Sequence, residues 1–344
     1  MPTRRQCFWY TASLSAGSIA LVAADARRSK HRYESATREL WRAPMTRAAG
    51  FTAIQHPLIR AATLAPSSHN TQCWKCGLAP DAITILPDLT RRCPAVDRDD
   101  HHLYVSLGCA AENIVQAATA NGLRAIAAPA APDAGYRVQL SAYSAPASPL
   151  YAAITSRQSA RTVYDGRALT QRELVALERA GSSESVSLML LTERPVIINI
   201  RDAAVSANAT QMHDAAFVAG LRQWIRFSRR EALDHRDGLF SGTTGNSSIP
   251  RWLGEAMFGI VFTKKGESAK YVEQIRSSAG VAVFVGAESD TAHWIEVDRC
   301  FERFAQQCTA HLGLGGKRPD LVVRFGRWPG MPRSLRRPVN EVIV

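Results

Sequence analysis

The 344-residue sequence has no apolar run long enough to cross a bilayer comfortably. The one candidate, Phe8 to Ala24, is interrupted by Thr11, Ser13, Ser15, Gly17 and Ser18. It also has no second Cys-x-x-Cys to complement Cys73-Trp74-Lys75-Cys76, and His101-His102 lack the i, i+4 spacing of helical metal ligands. A zinc site is therefore not expected, and no metal-binding residues are assigned. Seven cysteines are too few for a disulfide framework. Aromatic residues make up only 8% and do not interleave with basic residues in a stripe, which excludes the usual nucleic-acid signature. No short repeat recurs, so solenoids and propellers are out.

Acidic residues are the scarcer charge, 30 against 42 basic, giving a net charge of +12. The excess sits at the ends. Residues 1–50 carry +6 and residues 317–344 carry +5, leaving a nearly neutral body. With 46% hydrophobic residues, that body is long enough for one large domain or two related halves. Thr3-Arg4-Arg5-Gln6-Cys7-Phe8 before a mildly apolar run resembles a twin-arginine export signal, with small residues for cleavage at Val22-Ala23-Ala24 and Ala24-Asp25-Ala26. The expected location is periplasmic or exported; an uncleaved segment would serve as an anchor, the only membrane contact expected.

The expected organisation is a signal segment over 1–26, a linker with a partial helix over 27–50, a first half over 51–148 and a second over 149–344. Leu58 to Leu64 ends a helix, and Ala82 to Leu86 reads as a strand stopped by Pro87. Leu103 to Leu123 has apolar residues at helical spacing, and Tyr136 to Tyr143 alternates as a strand. In the second half, a helix runs through Ile154, and Leu188 to Leu191 and Val196 to Ile200 look strand-like. Gln211 to Asp234 reads as one long amphipathic helix. The stretch 238–250, rich in Gly, Ser, Thr and Asn, reads as a mobile, lid-like loop. Gly280 to Gly286 is a buried strand, Trp294 to Leu314 a helix and Leu321 to Gly326 a last strand.

Two stretches carry chemistry. Ala65-Pro66-Ser67-Ser68-His69-Asn70-Thr71-Gln72-Cys73-Trp74 packs hydroxyls and amides into a turn after a helix, where backbone polar groups are also free. Such a cluster suits a planar ligand with a polar edge, such as a flavin ring. Arg157 and Arg161 flank Ser159; on a helix both guanidiniums would share one face and grip a phosphate. Cys73 and Cys76 have the spacing of a redox pair, whereas Cys109 and Cys308 read as small core residues.

The first stretch resembles the Ala-Pro-Ser-x-x-Asn-x-Gln-Pro-Trp signature of the nitroreductase superfamily, and Arg157-Gln158-Ser159-Ala160-Arg161 resembles its phosphate-binding motif. Their order along the chain resembles the Acg-type branch. Further matches are Gly108-Cys109-Ala110-Ala111-Glu112-Asn113, Arg236-Asp237-Gly238-Leu239, Pro250-Arg251-Trp252-Leu253 and Arg336-Arg337-Pro338-Val339-Asn340-Glu341-Val342. The resemblance implies an α+β fold in which two nitroreductase-like halves are fused into a pseudo-dimer, each a mixed or antiparallel sheet packed with helices. It implies a monomeric FMN-dependent oxidoreductase with one flavin site, passing hydride through N5 to or from a small-molecule partner. The cofactor set it implies is Pro66, Ser67, Ser68, Asn70, Gln72, Arg157, Ser159, Arg161, Arg336 and Arg337, with no protein acid or base. The alternatives are an FMN-sequestering protein without turnover and a degenerate relative without flavin. The sequence departs from the pattern at Cys73, where the family has proline, and at 310–320, where helix and final strand are joined almost directly.

Overall fold

The computed structural model describes residues 16–42, 51–130, 135–143, 148–312, 314–316, 322–327 and 332–344. The twin-arginine-like residues Thr3 to Phe8, and Lys317 to Asp320 of the shortened join, lie outside the described residues.

Two helices lead the chain, α1 (Ala16–Leu40) and α2 (Phe51–Thr63). Strands β1 (Trp74–Ala79) and β2 (Ala82–Pro87) then form a hairpin through Pro80 and Asp81. A long helix α3 (His101–Ala120) follows, then β3 (Leu123–Pro129) and β4 (Tyr136–Ala142). These four strands make an antiparallel sheet in the order β1-β2-β4-β3. Alternation sets its inner face: Tyr136, Val138 and Leu140 are buried, as are Trp74 and Cys76.

After α4 (Pro149–Ile154) and α5 (Gln171–Gly181) the plan recurs. Strand β5 (Val186–Leu191) leads into α6 (Arg194–Gln211), α7 (Ala215–Trp224), β6 (Ile225–Arg226), α8 (Arg229–His235), β7 (Leu239–Phe240), α9 (Arg251–Val261) and α10 (Lys264–Arg276). Then come β8 (Gly280–Gly286), a long helix α11 (Thr291–Leu312), β9 (Leu314–Gly316) and β10 (Val322–Arg327). The second sheet is antiparallel in the order β5-β8-β10-β9. Each sheet thus has its first, second, fourth and third strands side by side, with a long helix between the second and third. The 194–276 insertion replaces the tight turn between β1 and β2. The chain then returns to the first sheet, where Cys76 N donates to Val342 O at 2.6 Å and Val344 N to Cys76 O at 2.9 Å.

The two long helices, α3 and α11, share the most extensive helix contact in the fold. Gly108 permits it, since a Cβ there would lie 2.1 Å from the Ile295 carbonyl oxygen. Polar groups fix the register: Glu112 pairs with Arg299 at 3.2 Å and Arg303 at 3.0 Å, and Gln306 donates to Asn113 at 2.7 Å. One apolar core runs through both sheets, from Leu58, Ile83 and Leu107 to Phe284, Phe304 and Phe325. Cys109 and Cys308 are buried within it.

Several elements differ from the sequence reading. Val196 to Ile200 lies inside α6, started by Pro195 at its first turn. The expected helix over Gln211 to Asp234 is two helices, because Asp214 caps α7 and the Ser228–Glu231 capping box starts α8. The partial helix expected in the 27–50 linker covers residues 27–40 as the end of α1, and 43–50 lie outside the described residues. The join after α11 carries the short strand β9 paired with β10.

Candidate functional site

Three segments distant in sequence meet at one cavity, with Trp41 and Thr243 at its edge. The first is the turn between α2 and β1, which contributes Pro66, Ser67 and Asn70. The second, between α4 and α5, contributes Arg157, Gln158, Ser159 and Arg161. The third is the tail, with Pro332, Arg333, Ser334 and Arg336.

The first wall is built under backbone strain. His69, Asn70 and Gln72 have φ of 49°, 56° and 53°, three left-handed non-glycine residues within four positions. Each such residue costs on the order of 1 kcal/mol or more, and asparagine bears it best. Tertiary hydrogen bonds hold the turn there. Asn70 Nδ2 donates to Gly238 O at 3.0 Å and to Leu335 O at 3.2 Å, and Gly238 N donates back to Asn70 O at 3.1 Å. Gln72 N donates to Ser67 Oγ at 2.7 Å, and Gln72 Nε2 to Arg236 O at 2.9 Å. The tail closes the clamp, with Arg337 N donating to Gln72 Oε1 at 2.7 Å.

The expected site residues therefore divide. Pro66, Ser67, Asn70, Arg157, Ser159, Arg161 and Arg336 line the cavity. Ser68, Gln72 and Arg337 do not; Gln72 and Arg337 bond to each other and to backbone, and Arg337 faces Asp88 and Glu341. Their position makes them braces of the turn. Arg157 and Arg161 are not on a helix as expected, for α4 ends at Ile154 and residues 157–161 are irregular.

Charge is unbalanced around the cavity. Arg157 is 3% exposed; its Nε pairs with Glu302 on α11 at 3.0 Å and its Nη2 donates to Leu64 O at 3.0 Å. Glu302 is wholly buried, its Oε2 has no hydrogen-bond partner, and burial pushes its carboxyl up to about 7 despite Arg157. Arg336 is buried too, with Nη1 donating only to its own Leu335 O at 3.2 Å and Nε without a partner. Burial, then repulsion from Arg157, push its guanidinium down to about 9. Arg333 is lowered by burial and by Arg157 as well. Arg333 and Arg336 lie over the ring of Trp41, at 5.1 and 5.2 Å from its centroid. Trp41 Nε1 donates to Ser334 O at 2.9 Å, and Tyr33 Oη to Arg333 O at 2.5 Å, so α1 binds the tail.

Sequence reasoning missed Trp41, Thr243, Gln158, Pro332, Arg333, Ser334 and Glu302. The basic excess after residue 317 was the one available signal, and it pointed to the tail without distinguishing Arg333. The 238–250 stretch contributes Thr243 from a hydrogen-bonded turn, with Thr243 Oγ1 donating to Phe240 O at 2.7 Å and Ser241 Oγ to Phe227 O at 3.1 Å. The Cys73-Cys76 pair takes no part: both thiols are buried, neither is in a disulfide, and burial pushes Cys76 up to about 12.

The donor set fits one end of FMN. Four guanidiniums, one of them with an unsatisfied buried Nε at Arg336, and the three lining serines Ser67, Ser159 and Ser334 suit a phosphate monoester. The cavity is partly open to solvent, and its volume of about 60 Å³ holds about four waters or a phosphate group. A three-ring flavin does not fit inside it, since ligand pockets run to about 300–1,000 Å³.

No family model matches the sequence, and no curated protein is similar to it at the sequence level. Among solved structures, it is similar to an Anabaena variabilis protein provisionally assigned as a nitroreductase. Identity is 11% and the TM-score 0.40, over 77% of this chain and 82% of that one.

Proposed function

We propose that the chain is an FMN-binding redox protein of nitroreductase type, with one site between two halves of common plan. The observation that carries this reading is the convergence of Arg157, Arg161, Arg333 and Arg336 on one cavity whose opposite wall is the strained Ser67–Asn70 turn. In this reading the four guanidiniums hold the phosphate. Ser67, Ser159 and the unpartnered Oδ1 of Asn70 meet the ribityl hydroxyls. When bound, the flavin supplies hydride or electron transfer to a small acceptor. The protein's own part is binding and orientation, because among the described residues no titratable side chain lines the cavity besides the arginines. The rings must lie outside the cavity.

The matching strand orders of the two sheets support descent from duplicated halves, a pseudo-dimer in one chain with boundaries near 51–148 and 149–344. The twin-arginine-like start belongs to the same proposal: an exported protein, meeting its electron donor and acceptor outside the cytoplasm.

The test is comparative binding of FMN and riboflavin, which differ only in the phosphate, followed by flavin fluorescence quenching. Losing two charge-assisted bonds, each worth about 1.5–3 kcal/mol, weakens riboflavin by about 100-fold or more. The double variant Arg157→Met/Arg161→Met is expected to erase that preference. Equal affinity for the two ligands in the wild type, or no binding of either, refutes the assignment.

The same phosphate-sized cavity supports a second reading, in which FMN is held without turnover. Reoxidation of dithionite-reduced bound flavin by nitroaromatics or quinones separates the two.

A further inference from the structure

Helix α9 reverses the usual pattern of a surface helix. Its inner side is fixed by packing: Gly254 has no room for a Cβ, which would lie 2.3 Å from the Phe227 ring, and Phe258 meets Phe227 edge-on at 6.3 Å. The side turned about 180° from Gly254 and Phe258, at 100° per residue, carries Trp252, Ala256, Gly259 and Ile260. None is polar, and all four are exposed, Trp252 at 71% and Ile260 at 75%. Met257, 37% exposed, widens the stripe. Charged residues normally hold that position on a helix packed by its other face.

The rim of the stripe is basic. Arg251 is matched by Glu231 and Glu255. Lys264 and Lys265, which open α10 four residues beyond Ile260, are exposed and have no acidic partner among the described residues; Lys264 Nζ lies 3.2 Å from His213 Nε2.

We propose that this face docks on an anionic lipid bilayer, with Trp252 and Ile260 entering the headgroup boundary and Lys264 and Lys265 facing lipid phosphates. The geometry favours a bilayer over a second copy of the chain. An 11-residue helix is about 16 Å long and 10 Å wide, a footprint of about 160 Å² against the roughly 800 Å² per partner of a stable dimer. Like charges on the two rims would also repel. A bilayer requires only that a few side chains insert beside cationic contacts. No helix among the described residues is long and apolar enough to cross a membrane, so the contact is peripheral. The proposal is independent of the flavin reading.

The test is co-sedimentation of the full chain with vesicles of phosphatidylcholine alone and of phosphatidylcholine with phosphatidylglycerol. Binding is expected only to the anionic vesicles and should fall as salt rises. Trp252→Ser/Ile260→Ser should weaken it by about tenfold or more, from the lost apolar burial. Lys264→Glu/Lys265→Glu should weaken it similarly. Ile126→Ser, at an exposed apolar position on β3, should leave it unchanged. Unaltered circular dichroism keeps folding out of the comparison. Equal binding of wild type and W252S/I260S overturns the proposal. So does a concentration-dependent dimer, seen by light scattering, that the same double variant disperses.

Discussion

Glu302→Gln tests the electrostatics of the site at its deepest point. Two forces act on this carboxyl in opposite directions. Arg157, at 3.0 Å, favours its charge, while complete burial with one unpartnered oxygen disfavours it. Burial wins, and the carboxyl titrates at about 7 instead of 4.5. A carboxylate raised in the fold stabilises below its unfolded value, and that contribution is lost as pH rises through its folded value. Between pH 4.5 and 7 the wild type should therefore lose about 3 kcal/mol from this group, at 1.36 kcal/mol per pH unit. Glutamine does not titrate. The stability of the variant minus that of the wild type should rise by about that amount across the window, whatever the offset from an unpaired Arg157. Urea unfolding from pH 4 to pH 8 in phosphate-free buffer measures it, with phosphate excluded because an anion in the cavity would bind the arginines. The range ends below the value of about 9 to which Arg336 is pushed. A flat difference would mean that Glu302 is not perturbed. A falling one would mean that the Arg157 pair dominates and that the cavity is less cationic than described.

Three further outcomes check other parts of the fold. Gly108→Ala should cost about 1–3 kcal/mol at its upper end, read as a shift in urea midpoint, because its Cβ meets backbone atoms of α11 that cannot step aside. Thr170→Ala removes the capping box of α5, in which Glu173 N donates to Thr170 Oγ1 at 3.3 Å, and should cost about 1 kcal/mol by the same assay. Of the six described cysteines, only half-buried Cys93 should react with Ellman's reagent in the native protein, and all six after unfolding. A second fast equivalent mapped to Cys73 or Cys76 would show that β1 opens locally.

The elements legible in the sequence were those with strong period and clear punctuation. Gly280 to Gly286 and Ala82 to Leu86 are apolar runs with turn residues beyond them, and α3 carries apolar residues such as Leu107, Ala111, Ile114 and Ala118 at helical spacing. Strand β3 was missed because its inward positions include Ala125 and Ala127, whose small side chains give little contrast with their neighbours. Val196 to Ile200 misled because β-branched residues favour strands, whereas here tertiary packing decides. Ile197, Ile200 and Ala204, three and four apart, lie against Ile275, Val281 and Val283. The break before α8 was written in the sequence, since Ser228 and Glu231 have capping-box spacing; an amphipathic pattern running through Trp224 and Phe227 hid it.

At the site, residue types were legible and conformations were not. A helix was the simplest way to bring Arg157 and Arg161 together, yet an irregular segment does so, because Arg157 turns inward to Glu302 and not along a helix face. The charge at the two ends of the chain shows the same limit. Composition treats the +6 and +5 segments alike. In the fold, Arg27, Arg28 and Arg32 stay exposed on α1, where water and salt screen them. Arg333 and Arg336 are carried beneath Trp41 and face Arg157 with one buried carboxylate among them. Exposed arginines carry no demand for a ligand. Buried Arg336 does, because a desolvated guanidinium whose Nε lacks an acceptor carries a cost that an anion would recover. That demand arises from burial, which only the meeting of segments some 300 residues apart creates.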